Sequence, residues 1–348
     1  MPAPTTTRDV RRVPVRVGGT ALSRATVLLA IGALLAACLA SLMVGANPLS
    51  PAQVWAGLLG QEQEAMDVVR GGRLPRTVLG LLIGSALGAA GAVMQSITRN
   101  PLADPQLLGV NGGAAAAVVT AISVFGITQP GGYIWFALIG AACAAVLVYL
   151  LGTGRRSASN PVRLLLAGAA VQAALQSYVV ATMLADPTAY YSFRYWDIGA
   201  LTGRTLEDIG PVVWFLAAGL LGMMLLARPL NALSLGEEAG RALGANIPGT
   251  RTASAVVIVL LCGSATAAVG PIAFVGLAVP HLARLTVGVD HRTMLPASAL
   301  LGALLLITAD VVGRVIAWPQ EIGVGIITGI VGAPVLVWLV RARKVGRL

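Results

Sequence analysis

Long stretches of this chain carry no charge, and that absence constrains its fold more than any single motif. Residues 25–60 and 105–154 contain no Asp, Glu, Lys or Arg. A helix rises about 1.5 Å per residue, so roughly 20 apolar residues cross a hydrocarbon core about 30 Å thick. Only 11% of the 348 residues are charged and 57% are hydrophobic, with a mean hydropathy of +0.83. Soluble domains carry about a quarter charged residues, so the bulk of this chain belongs in lipid. The net charge of +10 then reads as cytoplasmic loop charge, not as a nucleic-acid footprint.

Breakers and charges divide the chain into candidate spans near 25–46, 77–98, 106–127, 133–153, 164–185, 210–227, 252–269, 271–289, 294–311 and 322–340. Gln129-Pro130-Gly131-Gly132 splits the longest uncharged stretch. At Gly270-Pro271 only 32 residues separate Arg251 from Arg284, which predicts a short or broken helix pair. With the N-terminus in the cytoplasm and ten spans, eighteen of the 24 basic residues fall inside. Arg70, Arg73, Arg76, Arg194, Arg204 and Arg314 fall outside. Nine spans would put the basic C-terminal end outside, against the positive-inside rule. The expectation is an all-α polytopic membrane protein with both termini cytoplasmic. Basic tails at 1–24 (the first of them disordered) and 342–348 flank one transmembrane domain at 25–341. Its halves, 25–227 and 252–341, are joined by a charged cytoplasmic segment at 228–251. Five spans per half is an odd number, so duplicated halves would be inverted.

Leu35-Ala36-Ala37-Cys38 resembles a lipoprotein cleavage box, but it lies within an apolar run too long for a cleaved signal and reads as first-span sequence. Cys38, Cys143 and Cys262 sit in apolar runs and read as small packed residues, with no disulfide or metal site. Gly80, Gly84 and Gly88, extended by Gly91, recur on one face of the second span, and Gly325, Gly329 and Gly332 on the last. Small residues at that spacing let helix backbones approach closely. Arg99-Asn100-Pro101-Leu102-Ala103-Asp104-Pro105 cannot be regular helix, because its two prolines are four residues apart; an ordinary loop or a constriction would both satisfy it. Ser234 and Glu237 have capping-box spacing, and Gly244 suits a C-cap. A cytoplasmic helix of two to three turns is predicted from Leu235 to Leu243, with Leu235, Ala239, Ala242 and Leu243 free to pack. Its acids make it a poor ligand for anionic lipid, which favours a protein partner. Asp310 and Arg314 are i, i+4 near the outer end of span nine, and His281 is a lone imidazole of structural type. No G-x-x-x-x-G-K-[ST] loop is present and the single lysine is Lys344, so any ATPase is a separate chain.

Together, Arg73-Leu74-Pro75-Arg76, the 99–105 segment followed by Leu108-Gly109-Val110, Leu235-Gly236-Glu237-Glu238-Ala239 and Gly270-Pro271-Ile272-Ala273-Phe274-Val275-Gly276-Leu277-Ala278-Val279-Pro280-His281 resemble the FecCD family over residues 25 to 341. These are permeases of iron-siderophore, haem and cobalamin ABC importers of the bacterial inner membrane. The resemblance implies ten helices per subunit, two identical or paralogous permeases around one path for a metal chelate, two ATPase subunits that bind the ATP, and a substrate-binding protein. It implies no cofactor on this chain. By the same resemblance Arg73, Arg76 and Arg314 receive acidic residues of the binding protein. Asn100, Pro101 and Leu102 form a cytoplasmic gate. Ser234, Leu235, Gly236, Glu237, Glu238, Ala239, Leu243 and Gly244 belong to the helix that seats in the ATPase. Gly323, Ala200 and Leu336 depart from the family's usual Pro, Ser and Phe. The competing expectation is an ion-coupled secondary carrier, which would require ionisable residues at the midplane.

Overall fold

The computed structural model describes residues 20–152, 161–318 and 320–345. Tail residues 1–19 and 346–348, and the basic pair Arg155 and Arg156, lie outside the described residues. The described chain is helical, without a strand. In order come α1 (Thr20–Met43), α2 (Pro51–Leu59), α3 (Gln63–Val68), a π turn (Val69–Arg73), α4 (Leu74–Thr98), a 3-10 turn (Pro105–Leu108), α5 (Val110–Phe125), α6 (Pro130–Gly152), α7 (Pro161–Ala185) and α8 (Pro187–Asp197). The second half holds α9 (Leu206–Ser234), α10 (Glu237–Ala242), α11 (Ile247–Ile258), a π turn (Val259–Gly263), α12 (Ser264–Val269), α13 (Val275–Val287), α14 (His291–Ile316) and α15 (Val324–Val345).

The expected spans fall largely on helical segments, with 252–269 spread over α11, the π turn and α12. Seven helical stretches are long and apolar enough to cross a membrane, among them Gln63–Thr98, and three apolar ones are shorter: Val110–Phe125, Val275–Val287 and Val324–Val335. Several boundaries move. The first helix begins at Thr20, inside the stretch expected to be disordered, and α9 continues through Arg228 and Pro229 to Ser234. The predicted break in the seventh and eighth spans is present: the π turn interrupts the first helix, and residues 270–274 are not helical. This non-helical backbone is covered by protein, with Gly270 against the Trp196 carbonyl and Phe274 against Gly332. Irregular backbone at membrane depth is tolerated only under such cover.

The core centres on α4 and α14, and glycine sets their distance. A Cβ at Gly84 would lie 2.5 Å from the Gly302 carbonyl oxygen, and one at Gly88 would lie 2.2 Å from that of Ser298. Gly91 makes the same close approach to Gly276 on α13, while Gly80 faces the Ile307 side chain. Packing accounts for this stripe, as its spacing predicts. On the last helix the expectation holds only in part. Gly325 packs against a connector, its N–H donating to the Gly199 carbonyl at 3.0 Å, and Gly332 meets Phe274. A Cβ at Gly329 would meet nothing within 4 Å, so this glycine marks no close helix approach among the described residues. The spacing rule finds the glycine face but not what lies opposite it.

Three short helices, α2, α3 and α8, were not expected. Ser50 and Gln53 form a full capping box at the start of α2, an S-x-x-Q signal legible in the sequence. α3 follows it directly, and α8 buries Ala189, Phe193 and Trp196 on one face.

Candidate functional site

At the N-terminal end of α4 three arginines turn inward. Arg76 grips Asp310 through Nε and Nη2, the latter at 2.7 Å, and reaches Glu321 through Nη1 at 2.5 Å. Arg314 also pairs with Asp310, and its Nη1 donates to the Ser41 carbonyl at 2.7 Å. Arg73 donates to the Leu42 and Met43 carbonyls at 2.8 and 2.9 Å, and also to that of Asn47. The geometry follows from helix spacing. Asp310 and Arg314 share one face of α14, while the π turn before α4 directs Arg73 toward the end of α1. Arg73, Arg76 and Arg314 are 7%, 7% and 3% exposed, so they are not the free rim cations the sequence suggested. Buried charge must be paired, and here the ends of α1, α4, α14 and the connector before α15 supply the partners. Sequence spacing could pair Asp310 with Arg314 but not with Arg76, 234 residues away.

Above this network lies a cavity of about 390 Å³ lined by Arg73, Arg76, Arg204, Arg314 and Glu321. Arg204 donates to the Tyr133 hydroxyl at 2.7 Å, and its Nε has no hydrogen-bond partner among the described residues. Four arginines against Glu321 and the underlying Asp310 leave the cavity a positive surplus. Partial burial pushes the Glu321 carboxyl up, but the bonds from Arg76 and Thr202 outweigh that and hold it below the ordinary carboxylate range.

At the other end of α4, about 36 Å away at 1.5 Å per residue, Arg99 ends the helix with φ +49°. The loop 100–104 follows, where Asn100 Oδ1 accepts from the Leu102 N–H at 3.0 Å. Asp104 caps the 3-10 turn by accepting from the Gln106 N–H. Burial pushes the Asp104 carboxyl above its usual range, and the Gln106 bond offsets only part of this.

The short helix α10 lies in the segment between α9 and α11. Its predicted capping box is absent. Gly236 is the N-cap residue, without a side-chain bond, and the Ser234 hydroxyl donates back to the Asn231 carbonyl at 2.6 Å. The helix is six residues long, shorter than expected, because α9 runs on to Ser234 and takes that residue out of capping position. Glu237 is instead held by Arg251 at 2.6 Å, with Arg241 at 3.4 Å. The C-terminal reading holds: Gly244 has φ +80°, and the Gly244 and Ala245 N–H groups donate to the Arg241 and Gly240 carbonyls, a Schellman closure. Gly240 faces the Ala232 carbonyl. Leu235 and Leu243 remain 64% and 68% exposed, and Glu238, Ala239 and Ala242 are exposed beside them. Among the described residues, no group of three His, Cys, Asp or Glu could hold a metal ion.

The pattern of the FecCD transport family matches residues 33–342. The chain is 44% identical over 308 residues to the ferric enterobactin transport system permease protein FepD of Escherichia coli strain K12, covering 88% of this chain and 92% of that one. It is 38% identical over 280 residues to the hemin transport system permease protein HmuU of Yersinia pestis, covering 78% and 82%. Among solved structures, a metal-chelate type ABC transporter in an inward-facing conformation superposes with a TM-score of 0.81 at 27% identity. The match covers 92% of this chain and 99% of that one.

Proposed function

The chain belongs to the FecCD transport family, and from that premise we propose that it is the permease subunit of an ABC importer for an iron-siderophore-type chelate. The observation that carries this reading is α10: a short, closed helix with an exposed apolar face, in a chain with no nucleotide loop of its own. That face is what a separate ATPase would grip. In this reading the protein crosses the inner membrane ten times with both termini in the cytoplasm, pairs with a second permease, and works with two ATPases and a binding protein. The inverted halves find support in a shared detail. The third span of each half, α5 and α13, is short and follows a non-helical, proline-bearing segment that holds one of the two non-glycine residues of positive φ among the described residues, Arg99 before α5 and Phe274 before α13.

Residues 100–102 form the cytoplasmic gate. The binding protein docks over the positive cavity, where Arg73, Arg76 and Arg314 act as a braced platform and complementary charge speeds encounter. Asp310 is bonded to both Arg76 and Arg314 at the N-terminal end of α4, away from the midplane where an ion-coupled carrier would require its ionisable residues. Reconstitution with the ATPase and binding protein provides the test. Uptake of ferric enterobactin, the chelate in the name of the relative FepD, should require ATP. Uptake driven by a proton gradient without ATP would overturn the reading.

A further inference from the structure

The C-terminal end of α9 is bonded to the C-terminal end of α4 along two routes, both beginning within six residues of α10. In the first, Arg99 Nη2 donates at 2.8 Å to the Leu233 carbonyl. That carbonyl also accepts from the Gly236 N–H at 3.2 Å, so one oxygen closes the turn into α10 and holds the residue that precedes Asn100. In the second, Asn231 Nδ2 donates to Asp290 Oδ1 at 2.6 Å, which turns Asn231 Oδ1 toward His291. Oδ1 accepts from the His291 backbone N–H at 3.0 Å and from its Nδ1 at 2.6 Å. Nδ1 therefore carries a proton, and Nε2 meets Ser96 Oγ, in the last turn of α4, at 2.7 Å. His291 is 6% exposed and Leu233 is 1% exposed, so water does not readily replace either bond. Asp290 caps α14 through the Arg292 N–H at 3.0 Å, and that bond with the Asn231 amide holds its carboxyl below the ordinary range.

We propose that Arg99 and the Asn231–His291–Ser96 chain are positioning residues that carry a displacement of α10 to the loop at 100–102. Two attachments matter because one hydrogen bond is a pivot, whereas two separated ones move rigid elements together. The partner side of α10 is braced as well, by the Glu237–Arg251 pair, so force applied at its exposed face is not dissipated in a loose turn. Arg99 holds its left-handed conformation at the point where the helix gives way to the gate. Non-glycine residues adopt this region sparingly, and they persist there when surrounding contacts hold them. Release of the Leu233 bond would remove that hold, and the loop would no longer follow α9.

This linkage rests on the assignment of α10 as the coupling helix and 100–102 as the gate. The test uses the assembled transporter in proteoliposomes, in a background carrying Cys38→Ala, Cys143→Ala and Cys262→Ala. A spin label is placed at Leu243→Cys or at Leu102→Cys, and its mobility is read with and without ATP plus vanadate. With the linkage intact, both positions should respond. In Arg99→Met, and separately in Asn231→Ala, the response at 243 should remain and the response at 102 should be lost. Arg99→Lys, which retains a donor for the Leu233 carbonyl, should restore it. A merely structural role would lower both responses together, alongside the thermal midpoint, and would overturn the linkage. So would a full response at 102 in both variants. If neither position responds before either variant is introduced, the proposed function itself fails and the linkage fails with it.

Discussion

Asp310 is the residue on which the charged end of the molecule depends. It is 1% exposed and accepts from both Arg76 and Arg314. Removing one partner from a buried ionic group typically costs about 3–5 kcal/mol, because the remaining charge is left unpaired in low dielectric. Asp310→Ala should therefore lower stability in detergent by about that amount, measured by denaturant unfolding, whereas a loss below about 1 kcal/mol would mean that water reaches the arginines. Glu321 behaves differently because it is partly exposed. Its carboxyl is held below the ordinary range, so its contribution is complete above the unfolded value of about 4.3 and fades as pH falls through the folded value. Unfolding measured from neutral pH down to acid should show a loss that Glu321→Gln lacks. Equal acid sensitivity in both proteins would remove Glu321 from the account.

At the scale of helices, glycine governs how α4 meets its neighbours. Gly88→Ala places a methyl against the Ser298 carbonyl, which is backbone and cannot rotate away. Overpacking of this kind costs about 1–3 kcal/mol, and the α4–α14 distance must widen. Gly329→Ala meets nothing among the described residues and should not lower the thermal midpoint of the isolated subunit. If it instead weakens association with the second permease, the open face of α15 is part of that contact. Equal effects of the two substitutions on the isolated subunit would show that glycine spacing, not local contact, decides the outcome. The helix stripe on α4 was legible because its period is written in the chain. The end of α10 was legible as well, since a glycine of positive φ after a short helix is a strong stop. The start is not legible: Ser234 and Glu237 have the right spacing, but α9 runs on to Ser234. Local capping signals do not reveal whether the preceding helix continues.

For the molecule as a whole, the two ends of α4 are chemically different. One gathers Arg73, Arg76, Asp310, Arg314 and Glu321 under a cavity; the other gathers Ser96, Arg99, Asn231, Asp290 and His291 around the approach to α10. Segments expected on the same side by charge parity meet in space at each end. A cysteine introduced at Glu62, between α2 and α3, should react with an impermeant reagent in intact spheroplasts, and one at Leu243 should react only after the membrane is opened. Reversed reactivity would invert the proposed topology.

The sequence alone determines the solvent in which this chain folds, because long uncharged runs leave lipid as the only medium that matches them. It determines the approximate positions of the apolar helices, the breaks at 99–105 and 270–274, and the family, since each is written in neighbouring residues. Only the tertiary structure decided which charges are free. Arg76 and Asp310 are 234 residues apart, as Arg99 and Leu233 are 134 apart, and no local period records such pairings. Their partners are set when α4 packs against α14 and α9, and desolvation at that contact turns three apparent surface arginines into a buried brace.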